Sequence, residues 1–298
     1  MGRSSRHLYS ILLILLGISI MYIIYRNSNI IRANEGFQEK KEFHFYNTSH
    51  YGDSILNLKF FYNIYEAMRE NNIMIHYYYG EWIKDVSELE RYTNSASMTL
   101  HPYSEAPEGA IELSMKNPVN GINALNFAEY YSAFYANILK IIGLENKGID
   151  TSLYQKEDYL LTIYEGLDEK YKDIDILIIN AEPKSGQFEY NKNDLHTIIK
   201  KLSEKYRVVT MAPSSSEIPS TNKDKLALQD IGAISTHAKY IFAIHSGALS
   251  GCFNLHTKQR VKKWIIMDRA YYNFGDIPYK IRNTLPDINT ILSEFNIE

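Results

Sequence analysis

Cysteine is almost absent from this 298-residue chain: Cys252 stands alone. One thiol cannot close an internal disulfide framework or build a cysteine zinc cluster, and it leaves the redox compartment open. There is no basic excess either. Lys and Arg number 32 against 35 Asp and Glu, a formal charge of -3. No overall field draws in a nucleic-acid backbone, and no nucleic acid is expected as a partner. Neither a Gly-x-Gly-x-x-Gly fingerprint nor a Walker loop occurs, which removes support for a dinucleotide enzyme or a P-loop ATPase. The absence of a Gly-x-Ser-x-Gly elbow weakens a Ser-His-Asp hydrolase. The one Asp-x-Asp, Asp173-Ile174-Asp175, precedes an apolar run instead of following it. Carboxylates at the amino end of a strand face away from the ligand edge of a parallel sheet, so no resident metal or other cofactor is expected.

Apolar residues make up 45% of the chain, ample for real cores. Their longest uncharged run is Leu8–Tyr25, between Arg3 and Arg6 on one side and Arg26 and Arg32 on the other. At about 1.5 Å per residue it reaches about 27 Å, enough for a bilayer core. A cleaved signal peptide is the competing reading. The run exceeds the usual apolar region of about 7–15 residues, and Ile31 spoils the small-x-small pattern before Ala33, so a retained anchor is favoured. A short head stays cytoplasmic, which puts the body in the lumenal or extracellular space. Arg6 speaks against myristoylation of Gly2, and Asn47-Thr48-Ser49 is a glycosylation sequon usable in that topology. The expected organisation is a head and anchor over 1–26, a polar stalk over 27–42, and two α/β halves over 43–150 and 151–298.

Strand and helix patterns alternate through both halves. Residues 43–47, 73–79 and "SMTLHP" read as strands. Helical spacing of Ile55, Leu58, Phe61, Ile64, Tyr65 and Met68 predicts a helix over 53–71 with Asp53 placed to cap it. An aromatic helix over 126–142 ends at Gly143. In the second half 173–180, 206–212, 239–244 and 261–268 read as strands, with helices over 193–205, 226–238 and 247–256 between them. The repeated order predicts two doubly wound, Rossmann-like parallel layers.

Ligands of such sheets sit beyond the carboxyl ends of the strands, which singles out three loops. In the first, Gly52 permits a tight turn, Asp53 is either a general base or a helix cap, and Ser54 follows. In the second, Glu182 can accept from sugar hydroxyls, while Lys184, Ser185 and the Gly186 amide suit an anionic oxygen; an ordinary solvated turn is the alternative. In the third, "YIFAI" opens onto His245, Ser246 and Gly247, followed by Ser250 and Gly251. A helix starting there would turn its free N–H groups and positive end toward a phosphate or diphosphate.

Two Rossmann-like halves, Gly52-Asp53 after the first strand, and "HSG" before a small-residue segment together resemble the GT-B glycosyltransferases, nearest to the heptosyltransferase-like group. The resemblance implies a base at Asp53 and a nucleotide-diphosphate site at Ser246-Gly247. It thereby implies a nucleotide-sugar partner and a glycan or glycoconjugate acceptor. This chain departs from the pattern in carrying His245 where an acidic residue is expected. A non-catalytic glycan- or protein-binding module of the same fold is the other reading.

Overall fold

Apolar runs buried on both faces make the strands, and periodic helices cover them. The computed structural model describes residues 40–93, 96–114, 119–182 and 188–295. The expected anchor Leu8–Tyr25, the stalk up to residue 39, and Lys184, Ser185 and Gly186 lie outside the described residues. Among the described residues no helix is long and apolar enough to cross a membrane. The chain divides into Met1–Lys41 and Glu42–Glu298.

The first half runs β1 (Lys41–Asn47), α1 (Tyr51–Asn63), α2 (Tyr65–Glu70), β2 (Ile73–Tyr79), α3 (Ser87–Glu90), β3 (Met98–Pro102), β4 (Ile111–Glu112) and α4 (Phe127–Ile142). Its sheet has the order β3-β2-β1-β4, with β2 parallel to β3 and β1 parallel to β4. The helix expected over 53–71 is two helices. The backbone leaves helical geometry at Ile64, whose side chain is buried, and resumes at Tyr65. α1 also begins earlier than expected: His50 holds the cap position with extended backbone, and Asp53 sits inside the first turn. α4 turns Phe127, Tyr130, Tyr131, Phe134, Tyr135, Ile138 and Ile142 inward at helical spacing, and Gly143 ends it in the left-handed conformation, φ 75°.

The second half runs α5 (Tyr159–Gly166), β5 (Ile176–Ile179), α6 (Lys192–Ser203), β6 (Val208–Thr210), α7 (Leu228–Ser235), β7 (Tyr240–Ile244), α8 (Leu255–Arg260), β8 (Lys263–Met267), β9 (Tyr279–Arg282) and α9 (Ile288–Glu294). Its parallel sheet has the order β6-β5-β7-β8-β9. Alternation sends Leu177 and Ile179 of β5 into a core shared with Phe45, Phe61 and Trp264, while Ile176 and Ile178 join a second core with Phe242 and Leu202. The edge strand β9, "YKIR", was not expected because it is short and half polar.

The helix expected over 247–256 is a correction. Gly247–Cys252 forms a six-residue 3-10 turn, and α8 starts afresh at Leu255 with Asn254 as its cap, Oδ1 accepting from Thr257 N at 2.8 Å. Packing holds the tighter turn. A Cβ on Gly251 would stand 2.8 Å from the Leu228 carbonyl oxygen, and one on Gly232 would stand 2.7 Å from that of Gly251. A turn this short has no aligned macrodipole, so the expected dipole cradle for a diphosphate is absent.

Candidate active site

Asp53 is carried by the first turn of α1, just beyond the carboxyl end of β1, and is only 9% exposed. Burial pushes its carboxyl above the usual carboxylate range. The Tyr131 hydroxyl, donating to Oδ1 at 3.0 Å, and the charges of His50 and His245 pull in the opposite direction without cancelling that effect. The same burial drives the Tyr131 hydroxyl well up, so it remains a neutral donor. Tyr272 belongs to the same neighbourhood, raised by burial and by the charges of Asp268 and Asp53.

Across from Asp53 stands the turn after β7. His245 Nδ1 lies 2.5 Å from Asp268 Oδ2, and both residues are buried, Asp268 to 2% exposure. A carboxylate only accepts, so Nδ1 carries the proton and Nε2 is the ring's remaining polar atom. Phe127, Tyr272 and Phe274 meet the imidazole edge to face at 4.9–5.7 Å between centroids, holding its orientation. The pairing follows from strand register: Ile244 faces Met267, and the His245 amide donates to the Met267 carbonyl at 3.0 Å. Next to it, Ser246 Oγ is buried and meets no hydrogen-bond partner among the described residues.

The glycines of the two expected loops meet each other. A Cβ on Gly52 would stand 2.9 Å from Gly247 Cα and 3.3 Å from Ser250 Oγ, and one on Gly247 would stand 3.0 Å from Gly52 N. Both residues are glycine because two backbones touch there, whereas the sequence suggested room for a ligand. Gly52→Ala should therefore cost about 1–3 kcal/mol in urea unfolding. Ala is favoured over Gly within a helix by about 1 kcal/mol, so a variant as stable as wild type would show that the two backbones separate freely.

Lys59, further along α1, secures the same contact. Its ammonium pairs with Glu157 at 3.0 Å and donates to the carbonyls of Ser250 and Phe253, each at 3.1 Å, with Lys59 at 4% and Glu157 at 2% exposure. The 3-10 turn is thus tied to the first half by a buried cation.

The structure brings Gly52, Asp53, His245, Ser246, Gly247 and Ser250 together. Ser250 serves the packing contact, and Ser54 is buried beside the Tyr77 hydroxyl instead of facing the cleft. Glu182 has its carboxylate 2.8 Å from Lys192 Nζ, by a small hollow of about 170 Å³ lined by Asn180, Tyr190 and His196. Asn180 closes the end of β5 onto β6, giving to the Ala212 carbonyl at 3.1 Å and accepting from its amide at 2.8 Å. Asp175 of the Asp-x-Asp is engaged at the opposite edge by Lys239 Nζ at 2.7 Å and the Arg207 amide at 2.9 Å.

Sequence reasoning missed Asp268, Lys59, Glu157 and Tyr131. Asp268 ends the run "VKKWIIMD", and inspecting every residue that follows a strand would have found it. Lys59 is a lone charge among "SILNLKFFY", a signal that points to a buried partner without naming one.

No protein-family model matches the chain, and no curated protein matches its sequence. Solved structures do match its fold. Escherichia coli heptosyltransferase WaaC, solved with ADP-2-deoxy-2-fluoro heptose, superimposes with a TM-score of 0.50 at 9% identity, covering 86% of this chain and 99% of that one. E. coli ADP-heptose LPS heptosyltransferase II gives 0.46 at 9% identity over 86% and 97%. A glycosyl transferase family 9 protein from Veillonella parvula gives 0.43 at 14% over 87% and 92%. The fold is therefore the two-sheet, parallel α/β architecture of the heptosyltransferase.

Proposed function

We propose that the protein is a glycosyltransferase that moves a sugar from a nucleotide-sugar donor to an acceptor hydroxyl. The observation that carries this reading is Asp53, a buried carboxyl with a raised pKa, facing the His245-Ser246 turn. Such a group is better matched to accept a hydroxyl proton near neutral pH than an exposed aspartate. The bond from Tyr131 fixes which carboxylate oxygen stays occupied and leaves the other for the acceptor. As the acceptor oxygen attacks the anomeric carbon, Asp53 takes its proton and the sugar–phosphate bond breaks. Ser246 Oγ, beside the His245 ring, then donates to the departing diphosphate. Asp268, which accepts from His245 Nδ1, puts an acidic group beside the Ser-Gly pair from the end of the neighbouring strand.

In this reading residues 43–150 receive the acceptor glycan or glycoconjugate and 151–298 the donor. Trp82 supports the first assignment. It is 46% exposed beyond the carboxyl end of β2, and its Nε1 donates to the Thr48 carbonyl at 3.2 Å, so a fixed aromatic face is open to a sugar. Leu8–Tyr25 anchors the chain in a membrane, with the N-terminus cytoplasmic and the body lumenal or extracellular. The ADP-sugar analogue named with the heptosyltransferase supports a nucleotide diphosphate as the donor's leaving group.

The test is calorimetric titration of UDP, GDP and ADP, each against its nucleoside, followed by a donor-release screen across nucleotide sugars. One diphosphate should bind more tightly than its nucleoside, and Ser246→Ala should weaken it about five- to thirtyfold. Absence of diphosphate binding together with absence of turnover on every donor would sink the proposal.

A further inference from the structure

The outward face of the first sheet carries a row of imidazoles that sugar transfer does not use. β3, β2 and β1 lie side by side, and alternation sends His44 of β1, His76 and Tyr78 of β2, and Thr99 and His101 of β3 to one face. The opposite face buries Phe45, Ile75 and Tyr77. α1 packs on that opposite face, with Phe61 5.6 Å from Phe45 between ring centroids.

The rings of His44 and His76 lie nearly parallel, 4.8 Å apart between centroids. Glu42, two residues before His44, brings a carboxylate oxygen to 3.7 Å from His76 Nε2. One ligand atom from each of Glu42, His44 and His76 falls within 4.8 Å of the others. Both rings are oriented through Nδ1. That of His44 meets the Tyr78 hydroxyl at 2.9 Å, and that of His76 meets the Thr99 hydroxyl at 3.0 Å. Outer hydrogen bonds of this kind fix the tautomer and ring orientation of metal-binding histidines. His101 extends the row, its Nε2 2.8 Å from the Thr99 hydroxyl and its Nδ1 3.5 Å from Glu105.

We propose that Glu42, His44 and His76 form a site for a divalent transition-metal ion of the zinc class, clamping β1 to β2. Two imidazoles and a carboxylate suit Zn²⁺, whereas Mg²⁺ and Ca²⁺ prefer all-oxygen shells. Tetrahedral ligands about 2.0–2.2 Å from the ion stand about 3.4 Å apart, so side-chain rotation has to close the set by about 1.4 Å at most. The exposed carboxylate of Glu42 leaves a path for entry. The site lies on the face away from α1 and Asp53, so the ion braces the sheet and takes no part in transfer. Spacing in the sequence could not reveal it, because His76 comes from a different strand than Glu42 and His44.

The test uses the full-length chain, stripped with chelator and titrated with Zn²⁺ by calorimetry, with Mg²⁺ as the comparison and His196→Ala as a control at an exposed histidine. Wild type and His196→Ala should bind Zn²⁺ at one site in the micromolar range or tighter. His44→Ala and His76→Ala should each weaken that site at least tenfold. A measurement on wild type alone guards against misfolded variants: Zn²⁺, and not Mg²⁺, should protect His44 and His76 from ethoxyformylation by diethyl pyrocarbonate, mapped by mass spectrometry. Unchanged modification of both histidines in saturating Zn²⁺, or wild-type affinity in both folded variants, overturns the proposal.

Discussion

Asp53→Asn should lower turnover by a factor on the order of 10² or more and, at the same time, raise the melting temperature at pH 7. The two effects have one cause. Burial raises the pKa of Asp53 in the folded protein, while in the unfolded chain it returns to about 3.9. The folded state therefore holds this proton more tightly than the unfolded state. Stability from this group is present below the unfolded pKa and falls as pH rises through the folded one. At pH 7 the unfolded chain releases this proton more readily than the folded protein does, a cost that Asn, which still accepts from Tyr131, does not carry. The gain in melting temperature should shrink as pH falls from 7 and vanish below the unfolded value, where both states hold the proton. Thermal melts across that range and turnover on the accepted donor check both halves. Near-normal turnover would remove Asp53 from the chemistry, and equal melting temperatures at pH 7 would show that its burial costs nothing. As a helix cap Asp53 would have given neither result, since Asn caps as well as Asp.

Lys59→Met should destabilise the protein by about 3–5 kcal/mol in urea unfolding, because it leaves Glu157 a buried, uncompensated charge. The carbonyls of Ser250 and Phe253 lose their donor in the same step. Adding Glu157→Gln to Lys59→Met should recover a large part of the loss, since the orphaned charge is then gone while the missing donor is not. A single variant within about 1 kcal/mol of wild type would mean that water reaches Glu157 and that the ion pair is not the tie between α1 and the 3-10 turn.

The order of elements was legible because it is a local property. "ILII" and "IFAI" are buried on both faces and look it, and the aromatic period of α4 with Gly143 behind it marks that helix without tertiary help. Position beyond strand ends likewise pointed to Gly52, Asp53, His245, Ser246 and Gly247. Their roles were decided elsewhere. Nothing near Gly52 says that Gly247 will occupy the space its missing side chain leaves, and nothing near His245 says that Asp268 will sit on the next strand in register. The helix expected from Gly247 became a 3-10 turn because Leu228 and Gly232 press against Gly251. His44 and His76 are remote in sequence and meet only because β1 and β2 pair. Helix and strand periods depend on neighbours a few residues apart, and sequence carries those directly. A carboxyl's pKa, a buried ion pair and a ligand set depend on which distant side chains share a desolvated volume, and only the packed chain brings these together.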